Sequence, residues 1–600
     1  MNPVLTRVSE RIKKRSAKSR ASYLARTHHA ATKGPSRGGL SCSNLAHGMA
    51  ACAQTDKDLL SATSTPNIGI ISAYNDMLSA HQPYEDYPAL IKKAARAEGA
   101  IAQFAGGVPA MCDGVTQGRE GMDISLFSRD LIALSTAVGL SHNMFDAVLC
   151  LGVCDKIVPG LLMGALSFGH LAVAFVPAGP MVSGLSNKEK AHTREEYAAG
   201  RVGRDVLLAA ESASYHSPGT CTFYGTANTN QMLMEFMGLQ LPGGSFVNPG
   251  TELREQLTIE VVRRVLELTK AGKNHTPIAH IVDEKAIVNA IVGLLATGGS
   301  TNHSLHLVAI AKSAGIMLDW DDFAELSTVV PLMAHVYPNG LADVNHFHAA
   351  GGLGYLMTQL LDAGMLHQDV NTLLGHGLDH FCQEPLIHNN TLKWRPAQRE
   401  SLDPDILRPV DNPFDREGGL RIVDGNVGRA IVKVSAVSRE HYRISAPARV
   451  FYSQQAFLDS FNRDELKQDF VAVLPCQGPG ANGMPELHKL TPYLGLLQNE
   501  GYKVALLTDG RMSGASGKIL AAIQVSPEAL LGGNIGKIID GDLIEIDAEQ
   551  GSLEVNAEHD IATRSTPMPD LEASHSGMGR ELFSAFRAQV GSAESGASIF

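Results

Sequence analysis

Two short stretches, "AMCDG" and "GVCDK", each place a cysteine directly before an aspartate at the end of an apolar run. They pair Cys112 with Asp113 and Cys154 with Asp155, the second pair followed at once by Lys156. A thiolate is a soft metal ligand and a carboxylate a hard one, so the pairing points to a metallocofactor site. A third stretch, "PGTCTFYGTANTNQ", offers Cys221 among small polar residues. Three thiolates from three separate loops suit an iron–sulfur cluster that leaves one iron open to substrate. Asp113, Asp155 and Glu486 of "NGMPELHK" are oxygen donors of the kind Mg²⁺ takes. Soft and hard donors together suggest Lewis-acid chemistry on a hydroxyl or carboxylate. Each of these residues also has an ordinary use, a cysteine as a small buried hydrophobe and Asp113, before Gly114, as a turn or helix cap. It is the repeated Cys-Asp pair that favours the metal reading.

Two further Gly-rich stretches follow apolar runs late in the chain, "CQGPGANGMPELHK" and "LLTDGRMSGASGK". Such loops bring backbone N–H groups close to an anion, and Arg511 is suited to clamp a carboxylate. Their spacing is not that of a Walker loop. "ATGGSTNHSLHL" sets Gly298, Gly299, Ser300 and Thr301 at an expected helix start. That start is either an anion site or a plain cap at Ser300 or Thr301. The 23 histidines include His303 and His306 at helical spacing and His346 and His348 nearby. No HExxH, complete zinc set or GxSxG elbow accompanies them, so they read mainly as hydrogen-bonded surface or core residues.

The elements that must carry these residues alternate in type. From Pro66 onward, "NIGIISAYN", "PALIKKAARAEGA", "AIAQFAGG", "SRDLIALSTAVGLS", "FDAVLCLGVCD" and "HLAVAFVPAG" read as strands separated by helices. That order implies right-handed crossovers and a mostly parallel sheet, an α/β fold whose ligands bind at the carboxyl ends of the strands. Residues 255–380 read as helix-rich. Five prolines between Pro385 and Pro413 mark a boundary. Beyond it, short strands with Asp-Gly turns predict a smaller β-barrel-like domain with inserted helices. The expected organisation is 1–65 a helical docking segment, 66–385 the α/β cluster domain, 386–425 a linker, 426–570 the barrel-like domain and 571–600 a helix and tail.

With 600 residues, 44% of them hydrophobic and 19% charged, the chain can form two or more large cores. Its net charge of −12 argues against general nucleic-acid or membrane-surface binding, and no apolar run reaches spanning length. The basic N-terminus carries Arg7, Arg11, Lys13, Lys14, Arg15, Lys18, Arg20 and Arg26. Val4, Val8 and Ile12 recur along it as on an amphipathic helix, which favours docking over a transit peptide. Eight cysteines in so long a chain form no disulfide framework, so a reducing setting is expected. Cys42, Cys52, Cys150 and Cys382 read as structural.

The stretches "YNDMLSAHQPYEDYP", "AGGVPAMCDGVTQG", "LGVCDKIVPG", "PGTCTFYGTANTNQ", "LLATGGSTNH", "QGPGANGMPELHKL" and "TDGRMSGASGK" closely resemble the dihydroxy-acid and sugar-acid dehydratases, nearly end to end. The resemblance, nearest to the branch acting on a phosphorylated sugar acid, implies dehydration of 6-phosphogluconate to 2-keto-3-deoxy-6-phosphogluconate in the Entner-Doudoroff pathway. It implies cluster ligands at Cys154 and Cys221, a Mg²⁺ site at Asp113, Asp155 and Glu486, a carboxylated Lys156 as a further ligand, and Ser513 as base. Ser513 needs neighbouring cationic charge, from a metal or Arg511, to serve; His81 and Lys156 are alternative bases. The dihydroxy-acid branch has Cys where His81 stands and Ser where Cys112 stands. The third ligand is therefore placed at Cys112, which favours a 4Fe-4S cluster over 2Fe-2S. A cytoplasmic homodimer with sites near the interface is implied as well. Lys188, Lys190, Arg201, Arg204 and the 298–301 turn are candidate phosphate ligands. Unphosphorylated aldonates or branched 2,3-dihydroxy acids are the alternative substrates, and an iron–sulfur sensor without turnover is the alternative from another class.

Overall fold

The structure is a computed structural model and describes residues 1–600 apart from 34–35, 63, 515–516, 558–559 and 566–568. Ala515 and Ser516 of the Gly-rich loop "TDGRMSGASGK" thus lie outside the described residues. Strands β1 (Asn67–Ser72), β2 (Ile101–Gly107), β3 (Ala147–Leu151) and β4 (Ala172–Val176) form one sheet in the order β2-β1-β3-β4, every pair parallel. β3 and β4 are buried along their whole length. That is why both read as unbroken apolar runs: helices cover both faces of such a sheet. The crossover helix Ser125–Leu140 packs on Ile157–Leu166, the helix that follows the Cys154 loop. A side chain at Gly160 would sit 2.5 Å from the Arg129 carbonyl oxygen, so only glycine allows the two helices to approach this closely.

The basic N-terminus is one helix, Pro3–Lys33. It buries Leu5, Val8 and Ile12 and packs on the helices Glu284–Ala296 and Trp320–Ser327. Arg11 and Arg15 both pair with Asp322, whose side chain is completely buried. Much of this charge is therefore spent on the chain itself.

A short ribbon, β5 (Asn371–Thr372) with β6 (Gly375–His376), precedes a hairpin of β7 (Gln383–His388) and β8 (Thr391–Pro396). This hairpin occupies a stretch read as linker. Its prolines, at Pro385 and at the end of β8, hid a weak alternation in which only Leu392 and Trp394 of β8 turn inward.

The second sheet comprises β9 (Leu420–Val423), β10 (Arg429–Lys433), β11 (Arg443–Val450), β12 (Phe470–Leu474), β13 (Val504–Thr508), β14 (Ala521–Ser526), β15 (Leu543–Asp547) and β16 (Ser552–Asn556). Its order is β16-β15-β11-β12-β13-β14-β10-β9. Asp424, just past β9, bridges Ser552 of β16, which nearly closes the sheet into a barrel around Val432, Ile444, Val473, Leu507, Ile546 and Leu553. Pairs from β11 to β14 are parallel, with the helices Gln454–Asn462 and Leu490–Asn499 as crossovers. This half therefore presents strand ends in the same manner as the first. Among the described residues no helix is long and apolar enough to cross a membrane.

Candidate active site

Cys112 caps the short helix Asp113–Thr116 after β2, and Cys154 lies just beyond β3. Cys154 has φ +73°, a left-handed conformation uncommon for a residue with a side chain. Its loop is held by Asn230, whose amide donates to the carbonyls of Cys154 (2.8 Å) and Asp155 (3.0 Å). Asn228 does the same for the third loop, donating to the carbonyls of Cys221 (2.7 Å) and Phe223 (2.8 Å). Both asparagines lie on the buried helix Thr226–Phe236. The role of "TANTNQ" is thus to fix two cysteine loops from one helix.

The three thiols gather close enough to act on one another electrostatically. Burial and the charges of Cys112 and Cys221 push Cys154 well above the usual thiol range. Burial, then Cys112, pushes Cys221 up to about 12. Burial, then Asp113, raises Cys112. Thiols held protonated in this way need the charge of a bound metal to become thiolates. All three keep partial exposure, so three separate soft donors converge on ground open to a ligand, a donor set that fits an iron–sulfur cluster.

Beside them stand the carboxylates. Oxygen atoms of Asp113, Asp155 and Glu486 lie within 4.8 Å of one another. Two buried cations hold them together. Arg511 donates to Asp155 (3.0 Å), Glu486 (3.1 Å) and Asp113 (3.0 Å), while Lys156 pairs with Asp113 and with Asp155 (3.1 Å). Glu486 and Arg511 face each other across a β-bridge. Burial opposes charge on Asp155, but Lys156, Arg511 and His306 outweigh it and hold the group well below the usual carboxylate range. Burial and the neighbouring Asp113 push Glu486 up to about 7. Three acids sharing two cations separate in this way, one firmly ionised and one poised to take a proton.

Every metal or cluster residue expected from the sequence is in this one region. Ser513 follows Arg511 by two residues and is half-buried. Its neighbour Gly514 lies against the 298–301 turn, where any side chain would meet the Ser300 hydroxyl at 2.6 Å. His81 is completely buried, its Nε2 3.0 Å from the Val153 carbonyl, and burial drops it to about 4. Arg511 clamps carboxylates of its own chain. The helix after the turn begins at His303, and Ser300 spends its hydroxyl on Thr226 (2.8 Å) and on the Asn302 N–H (3.2 Å). Of the basic candidates, Lys188, Arg201 and Arg204 are exposed and Lys190 is buried. The sequence reading passed over His306, read as an ordinary histidine. Its Nε2 lies 2.8 Å from Asp155, and burial lowers it to about 4, so it reaches Asp155 as a neutral N–H donor. The reading also missed Asn228, Asn230 and Ser125, whose hydroxyl donates to Asp113 (2.5 Å). Their only sequence signal was the density of small polar residues around the cysteines.

Residues 65–381 match the N-terminal and residues 405–597 the C-terminal model of the dihydroxy-acid/6-phosphogluconate dehydratases. The chain belongs to this dehydratase family. A phosphogluconate dehydratase from Pseudomonas aeruginosa is 58% identical over 600 residues, spanning 100% of this chain and 99% of that protein. One from Escherichia coli K12 is 56% identical over 599 residues, 100% of this chain and 99% of that one. A dihydroxy-acid dehydratase of Ignicoccus hospitalis is 35% identical over 505 residues, 82% of this chain and 86% of that protein. Two family domains in the same order account for why Cys112, Cys154 and Cys221 come from one half and Glu486 and Arg511 from the other.

Proposed function

We propose that the chain is a hydro-lyase that dehydrates 6-phospho-D-gluconate to 2-dehydro-3-deoxy-6-phospho-D-gluconate, a step of the Entner-Doudoroff pathway. The observation that carries this is identity of 52–58% to phosphogluconate dehydratases along essentially the whole chain, against 35% to the dihydroxy-acid dehydratase. An iron–sulfur cluster, general to the family, takes Cys112, Cys154 and Cys221, and the three thiols favour the 4Fe-4S form. When bound it supplies Lewis acidity toward the C3 hydroxyl, a poor leaving group. Asp113, Asp155 and Glu486 hold Mg²⁺, with a carboxylated Lys156 as fourth donor. The place of Lys156 beside Asp113 and Asp155 supports that role, because it sets the Nζ within reach of an ion that these carboxylates would hold.

Ser513 accepts the C2 proton at its Oγ. Arg511 on the same loop is engaged by Asp113, Asp155 and Glu486, so the positive charge that such a base requires beside it would come from the bound metal. Loss of the C2 proton and the C3 hydroxide removes one water and leaves an enol, which takes a proton at C3 to become the 2-keto acid. The protein acts as a homodimer in the cytoplasm. Exposed apolar Met77, Val115 and Val182 suit a subunit contact, and free cysteines suit a reducing compartment. The test is 2-keto acid formation by anaerobically purified protein from 6-phosphogluconate, gluconate and a branched 2,3-dihydroxy acid. Preference for 6-phosphogluconate is expected, and preference for either other acid overturns the substrate assignment.

A further inference from the structure

A phosphorylated substrate carries about two negative charges at its far end, and the carboxylate cluster has no cation to spare for them. Lys156 and Arg511 are both committed to Asp113 and Asp155. Close to the thiols stands a further buried cation that makes no ion pair among the described residues. Lys190, on the helix Asn187–Ala198, is 4% exposed. Its ammonium lies 5.2 Å from the centre of the Tyr215 ring and 5.8 Å from that of Phe223, two residues past Cys221. Among the described residues it makes no ion pair or hydrogen bond. Burial and Arg194 act against its charge, while Glu211, Cys221 and Asp343 favour it from a distance; an ammonium with ring faces but no hydrogen-bond acceptor is costly to bury unless a ligand completes it.

Its surroundings belong to the site. The charge of Lys190 bears on the Cys221 thiol. Arg194, one turn along the same helix, is tied to Glu211 by two hydrogen bonds of 2.5 and 2.8 Å, which leaves Lys190 as the uncommitted cation of the pair. Facing this helix is Leu490–Asn499, from the barrel-like half. Just before it comes His488, two residues past Glu486, with its Nδ1 buried and unpartnered. Arg194 and Glu211 act electrostatically on this ring as well. The other buried amine without a partner, Lys433, sits differently: it lines a small cavity whose walls include Leu494, Leu506, Met512, Ile519 and Ile523. That ground is mostly apolar, whereas beside Lys190 the His488 ring, which burial lowers to about 4, offers a neutral N–H.

We infer that Lys190, with His488 from the facing half, forms the subsite that takes the phosphoryl group while the acid end of the same substrate lies at the thiols and carboxylates. This rests on the proposed reaction and adds the residues that select the phosphorylated substrate. Lys188, Arg201 and Arg204, equally basic in the sequence, have no part in it.

The experiment compares wild type, Lys190→Met and Lys190→Arg, each as full-length, cluster-loaded protein, on 6-phosphogluconate and on gluconate. Binding of inorganic phosphate is followed in parallel by ³¹P NMR. For Lys190→Met the KM for 6-phosphogluconate is expected to rise ~100-fold, as for loss of one partner from a desolvated charge pair. Its kcat, and its kcat/KM on gluconate, should stay within about threefold of wild type. Phosphate binding should be lost in Lys190→Met and retained in Lys190→Arg. Equal losses on both substrates, an unchanged KM for 6-phosphogluconate, or undiminished phosphate binding in Lys190→Met overturns the assignment. So does finding the same split in Lys433→Met. A wild type with no preference for 6-phosphogluconate over gluconate defeats the proposed reaction itself, and that result is seen before any variant is made.

Discussion

The parallel sheet of the first half and the barrel-like sheet of the second both present polar groups just past parallel strands, yet they present opposite chemistry. After β2 and β3 come Cys112, Asp113, Cys154 and Asp155, which are carboxylates and thiols whose cation from the same half is Lys156. The loops after β12 and β13 bring Glu486 and Arg511, and that guanidinium reaches carboxylates of both halves. Neither half is therefore a complete site. The first gathers donors that repel one another, and the second supplies the charge that lets them stay together.

The sharpest way to break this comparison lies in the first half. Cys112→Ser, Cys154→Ser and Cys221→Ser should each cost ~10⁴-fold in kcat/KM, as expected when several kcal/mol of Lewis acidity are lost, and each should abolish the visible absorbance of a cluster. Full activity and an intact spectrum in Cys112→Ser would remove it from the ligand set.

Next comes the cation of the second half. Arg511→Met leaves buried carboxylates short of a partner and should lower the stability of the cluster-free protein by ~3–5 kcal/mol in chemical denaturation. Adding Asp155→Asn should restore part of that loss, since it removes one of the stranded charges. A double variant no more stable than Arg511→Met would show that charge balance does not join the halves.

A smaller effect is expected away from the site. Arg15→Met leaves the buried Asp322 with Arg11 as its one cation and the Asp319 N–H as its other donor and should cost about 1–3 kcal/mol, read as a fall in Tm with kcat unchanged. The smallest is a slope. Burial drops Lys433 to about 7, so between that pH and its ordinary value near 10.5 the unfolded chain holds a proton that the folded chain does not. Stability contributed by this group therefore rises with pH across that window. Lys433→Met should be more stable than wild type at pH 6, with the advantage shrinking toward pH 10. An advantage that stays constant would mean that Lys433 does not titrate there.

Much of the fold could be read directly from the chain. β3 and β4 are unbroken apolar runs because parallel strands are covered on both faces. The N-terminal helix was visible in its spaced Val8 and Ile12, both fully buried. The hairpin of β7 and β8 was not visible, because it is short, proline-flanked and mostly half-exposed, leaving little alternation to detect. The parallel centre of the barrel was hidden as well, since Asp-Gly turns suggest hairpins whereas the crossover helices that decide the matter are only 9 and 10 residues long.

The site divides along the same line. Residue type alone marked Cys112, Cys154, Cys221, Asp113, Asp155, Lys156, Glu486 and Arg511, since softness, hardness and charge are properties of single side chains. Only tertiary structure decided that Arg511 would be occupied by three carboxylates from distant parts of the chain, that His306 would support Asp155, and that Asn228 and Asn230 would hold the cysteine loops. It also separated Lys190 from Lys188, Arg201 and Arg204, which are alike in charge. Which side chain is buried, paired or left without a partner depends on contacts between segments hundreds of residues apart, and no local pattern in the sequence encodes them.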